Sequence, residues 1–89
     1  MKRLTERLAQ RLELPGELLE GVMRLTLTGG ERVLIENHKG LLDYTDECVE
    51  VSGGKLRLRV RGQSLLLRSM NSEEVLVTGR IFAVEVDGA

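Results

Sequence analysis

Lys55-Leu56-Arg57-Leu58-Arg59-Val60-Arg61 alternates charge and apolar group without a break, between Ser52-Gly53-Gly54 and Gly62. Successive side chains of a β-strand point to opposite faces. Leu56, Leu58 and Val60 therefore share one face, and four cations share the other. A helix would scatter both sets around its circumference. The stretch makes the protein a sheet with one buried and one solvated side.

The neighbouring sequence follows the same grammar. Cys48–Ser52 precedes the run across Gly53-Gly54, a hairpin signal. A two-residue turn there predicts Val51 opposite Leu56, Glu50 opposite Arg57 and Val49 opposite Leu58. Upstream, Val22 to Thr28 and Arg32 to Asn37 flank Gly29-Gly30. A three-residue loop at Thr28-Gly29-Gly30 pairs Leu25 with Val33 and Met23 with Ile35, and predicts positive φ at Gly30. Downstream lie Ser64–Met70 and the long stretch Glu74–Val86. Its inward parity changes across Gly79, which predicts a bulge or bend. Turns recur at the spacing of a sandwich or barrel. An irregular β-solenoid shares that spacing, but the Gly-Gly pairs favour hairpins. The expected fold is all-β: a small antiparallel β-sandwich built from consecutive hairpins.

Residues 1–14 have a different period. Leu4, Leu8 and Leu12 recur at i, i+4, i+8, one stripe of an amphipathic helix, with Arg3, Arg7 and Arg11 beside it. Pro15-Gly16 ends it. We divide the single domain into this helix, 1–14, and a β-sandwich, 15–89. Residues 1–12 carry net charge +3 and residues 13–89 net −4.

With 89 residues, a single cysteine and no Trp, the core is thin, aliphatic and free of internal disulfides. The formal net charge of −1 gives no global pull toward nucleic acid or anionic lipid. No apolar run approaches the ~20 residues of a membrane span, and no apolar stretch follows Lys2-Arg3 as in a signal peptide. A cytoplasmic location is expected.

Candidate chemistry is sparse. His38, Cys48 and Asp43 supply the residue types of a nucleophile, base and orienter, without any accompanying motif. A packed thiol and a solvated turn histidine account for them more simply. Asp43, Asp46 and Glu47 near His38 fit no zinc or calcium pattern and read as an exposed acidic loop. The glycine pairs precede no helix that would hold phosphate. The expectation is no enzyme, no cofactor, no metal and no small-molecule substrate. The cationic face of 55–61 offers an alternative, polyanion or nucleic-acid binding, but the aromatic platforms of single-strand binders are missing.

One resemblance narrows the reading. Ile35-Glu36-Asn37-His38-Lys39-Gly40 followed by Tyr44-Thr45 resembles the YabP/YqfC family of bacterial sporulation proteins, in its YqfC-like branch. Leu14-Pro15, Leu25-Thr26-Leu27-Thr28-Gly29, Gly62-Gln63-Ser64-Leu65 and Val77-Thr78-Gly79-Arg80-Ile81 agree with it in order. The resemblance implies a small β-sandwich without catalytic residues, acting in the mother cell during endospore formation beside a membrane-associated sporulation protein. It carries no ligand residues. We expect partner binding at two patches: Leu4, Arg7, Leu8, Arg11 and Leu12 on the helix, and Glu36, Asn37, His38 and Lys39 in the turn. Exposed strand edges also allow a homo-oligomer.

Overall fold

The computed structural model describes residues 21–88. The helix expected over 1–14 lies outside them. Six strands follow in order: β1 Arg24–Thr28, β2 Arg32–Glu36, β3 Gly40–Tyr44, β4 Cys48–Ser52, β5 Leu56–Met70 and β6 Glu74–Gly88. All are joined by hydrogen bonds into one sheet of order β1-β2-β6-β5-β4-β3. Every pairing is antiparallel, which removes the solenoid alternative.

The alternation of 55–61 sets the faces as the sequence predicts, except that Lys55 falls in the turn and Leu56 stays exposed. Leu58 and Val60 are buried, and Arg57, Arg59 and Arg61 take the opposite face. They join Val49 and Val51 of β4, Val33 and Ile35 of β2, Leu65 of β5, and Val75 and Val77 of β6 in one cluster. Burial of each such side chain stabilises the fold by roughly 1.5–3 kcal/mol. Strands β2 and β4 are not neighbours in the sheet, yet their valines meet in this cluster. The two long strands lie between them, β6 pairing β2 over Glu74–Thr78 and β5 pairing β4 over Arg57–Arg61.

Two glycines stand where these long strands pair irregularly. A Cβ on Gly62 would sit 1.9 Å from the Arg80 carbonyl oxygen, so only a bare backbone allows the approach. Gly79 has φ +140°, and a Cβ there would meet the Ser64 carbonyl oxygen at 2.7 Å. The β5–β6 register slips three times, between Arg61 and Gly62, between Gln63 and Leu66, and between Leu67 and Ser69. The expected irregularity at Gly79 and the parity change across it are present. Val75 and Val77 face the core before it, while Val84 packs against the core after it and lies opposite Val60.

Both expected hairpin registers shift, with their faces kept. Leu25 lies opposite Ile35, and Leu27 opposite Val33. The loop still has three residues, moved one position on to Gly29-Gly30-Glu31, and Gly30 has φ +70° as expected. Val51 lies opposite Leu58 and Glu50 opposite Arg59. The turn there is Gly54-Lys55, closed by the Gly53 N–H donating to the Leu56 carbonyl at 2.7 Å. Gly53 stands just before the turn, where a Cβ would meet the end of the Met23 side chain at 2.7 Å. Strand β3 takes the place of the acidic loop expected around Asp43.

Candidate interaction surface

The turn Glu36–Gly40 is a junction of four chain segments. Asn37 has φ +62°, a conformation asparagine tolerates better than most residues. Its N–H donates to the Glu73 carbonyl at 2.7 Å, and its side-chain amide donates to the Val22 carbonyl at 3.0 Å. The Lys39 N–H donates to the Ser52 carbonyl at 2.7 Å. His38 is only 6% exposed. Its Nδ1 accepts the Gly40 N–H at 3.0 Å, which leaves the proton on Nε2, 2.8 Å from the Asn71 carbonyl oxygen. Asn71 in turn accepts the N–H groups of Glu73 and Glu74 through Oδ1. The turn thereby holds the tip of the β5–β6 hairpin, the end of β4 and the entry to β1.

The expected site residues divide accordingly. Leu4, Arg7, Leu8, Arg11 and Leu12 lie outside the described residues. Asn37 and His38 spend their side chains on their own chain. Lys39 is exposed and Glu36 half-buried. The histidine expected to be solvated is buried because a carbonyl arrives from 33 positions away. Cys48 and His38 sit at opposite ends of β4, since Lys39 bonds Ser52 while Cys48 opens the strand. Four residues of strand separate those ends by about 13 Å. Among the described residues, no three His, Cys, Asp or Glu side chains converge on a metal position.

The cationic face of β5 is crossed by carboxylates from both neighbouring strands. Arg59 pairs with Glu50 of β4 at 2.8 Å, and approaches Asp87 at 3.6 Å and Glu85 at 3.8 Å on β6. Arg61 pairs with Glu85. The hydrogen bond and charge of Glu50, then Asp87 and Glu85, hold the Arg59 guanidinium above its ordinary value against some desolvation. The hydrogen bond from Arg61, then its charge and that of Arg59, hold the Glu85 carboxyl below its ordinary value. Two of the four cations are thus matched within the sheet.

Apolar surface is exposed elsewhere. Phe82 is 63% and Val86 60% exposed on the second half of β6, with Leu56 beside them on β5. Leu25 and Leu27 of β1 are also open, although they share a face with buried Val33 and Ile35. Sequence periodicity found these positions and assigned them inward. It could not tell that no described strand covers them.

The YabP family model matches residues 20–88, the whole described sheet. The chain belongs to the YabP family. The YabP-family chain is also 29% identical over 77 residues to a Bacillus subtilis (strain 168) protein named "Uncharacterized protein YqfC", covering 86% of this chain and 83% of that one. No solved structure matches it. YabP-family membership is the ground for reading it as a sporulation-related protein. Its Glu36–Gly40 block, which carried the resemblance, is the junction described above.

Proposed function

We propose that this chain is a non-enzymatic interaction module of endospore formation, working in the cytoplasm of the mother cell with a membrane-associated sporulation protein. The observation that carries this reading is the division of labour in the sheet. The Asn37 and His38 side chains of the Glu36–Gly40 turn are spent on holding the chain together, while large apolar side chains such as Phe82 and Val86 remain exposed. Uncovered apolar surface on a small domain fits a docking role. The six-stranded sheet, closed as a small sandwich, then serves as the scaffold. Leu4, Leu8 and Leu12 with Arg7 and Arg11 enter on their sequence pattern, and Lys39 and Glu36 are the turn members left open to a partner. No helix among the described residues is long and apolar enough to cross a membrane.

Fractionation of sporulating cells tests this. The wild-type chain is expected to sediment with membranes, and Leu8→Asp to stay in the soluble fraction with its melting transition intact. A soluble wild type, or a Leu8→Asp chain that no longer folds, overturns the assignment of that patch. The polyanion alternative requires cations unmatched by carboxylates. A low-salt anisotropy titration with single-stranded oligonucleotide is expected to show no binding. Tight binding with a steep salt slope would reverse the ranking of the two readings.

A further inference from the structure

We propose that the second half of β6, Ile81 to Asp87, is a pairing edge for a second copy of this chain, an inference independent of the membrane-associated partner proposed above. Strand β2 covers β6 only from Glu74 to Thr78, while β5 pairs along its other side as far as Gly88. The Ile81 N–H donates to the Gly30 carbonyl at 2.9 Å. Beyond that point no described strand lies along the outer side of β6. From Phe82 to Asp87 the outer side of the backbone is therefore paired by no described strand. Natural sheets blunt such edges with Lys, Pro or a covering element. Ile81-Phe82-Ala83-Val84-Glu85-Val86-Asp87 contains neither Lys nor Pro.

The residues of this edge complement themselves when two copies run antiparallel about Val84. Val84 then faces Val84, and Phe82 faces Val86, so the two most exposed apolar side chains cover each other. Glu85 faces Ala83 and Asp87 faces Ile81, so no acid meets an acid. Moving one strand two positions along sets Glu85 against Glu85, and like charges directly opposite are destabilising. Moving it one position sets Phe82 against Glu85. Moving it two positions the other way sets Ala83 against Ala83 and Val86 against Arg80, so charge excludes one shift and the mutual cover of Phe82 and Val86 selects the Val84-centred register over the other. Glu85 and Asp87 already lie beside Arg61 and Arg59 of their own chain, so two acidic edges can approach each other. The contact is isologous and closes at two copies.

Sedimentation of the full-length chain from micromolar to millimolar concentration tests the edge. The wild type is expected to reach twice the chain mass. Phe82→Lys with Val86→Lys is expected to remain at the single-chain mass with an unchanged melting transition, because both side chains are mostly exposed. The register has its own readout. In a Cys48→Ser background, Val84→Cys should form an intermolecular disulfide on mild oxidation, and Glu85→Cys should not. Should Val84→Cys unfold the chain, a mixture of Phe82→Cys and Val86→Cys chains reads the same register. A wild type that stays monomeric overturns the proposal, and exchange-protected amides at 82–88 in that monomer would mean residues 1–20 cover the edge. A dimer indifferent to both lysines also overturns it.

Discussion

The two halves of β6 are written in the same alternating code and have opposite fates. Val75 and Val77 are fully buried, whereas Phe82 and Val86 are 63% and 60% exposed. The first half has β2 on one side and β5 on the other, and the second half has only β5 among the described strands. An apolar face is a demand for cover, and topology decides whether the demand is met. Unmet demand at the end of a strand marks where this fold meets its surroundings.

The sharpest break of that comparison is a matched pair of substitutions. Val77→Lys leaves an unpaired charge in the core and is expected to abolish cooperative unfolding, whereas Val86→Lys should change stability by only about 0.5 kcal/mol. Urea titrations of the two variants measure the contrast. Gly62→Ala comes next. Its methyl group would force the Arg80 carbonyl away, with a cost toward the upper end of the ~1–3 kcal/mol typical of overpacking, read as a lowered urea midpoint. His38→Ala unbinds the hairpin tip from the turn. It strands the Asn71 carbonyl and the Gly40 N–H, costs about 1–3 kcal/mol, and should raise amide exchange at Gly40.

A smaller effect concerns Glu85, on the open half of the strand. Its folded-state value lies below the ordinary 4.5, so the unfolded chain binds more protons between the two values. The stability it contributes is present above about pH 4.5 and is lost as pH falls through the lower, folded value. Glu85→Gln should flatten that acid limb of stability against pH by lowering the neutral plateau slightly, with little change at the acid end. The smallest change is expected at Ser64, which holds φ +53° in the β5 irregularity. Ser64→Gly relieves about 1 kcal/mol of backbone strain, partly offset by the entropy of glycine, and should raise the melting temperature slightly.

Faces were legible in the sequence wherever alternation was unbroken. Leu58, Val60, Val49 and Val51 fall inward as their period requires. Registers were less legible, because a Gly-Gly pair announces a turn without saying which residues form it. At Gly53 the nearest side chain is Met23, which lies just before β1 and far away in the sequence. Strand β3 escaped because its register against β4 shifts between Leu41 and Asp43, so the alternation is interrupted within five residues. Glu50 was visible as a partner for the cationic strand, one arginine out of place. Glu85 and Asp87 were not, since nothing local sets β6 beside β5 in that register. The buried state of His38 was hidden for the same reason. Its acceptor, the Asn71 carbonyl, belongs to a hairpin tip far along the chain.

The strand order has a kinetic consequence. All pairings but one join strands consecutive in the chain, and such hairpins can form early because little loop entropy opposes them. The exception is β2 against β6, which must close the loop from Glu36 to Glu74. Zipping of that seam is the expected late event on the folding pathway, and the Asn37–Glu73 hydrogen bond is its first stitch.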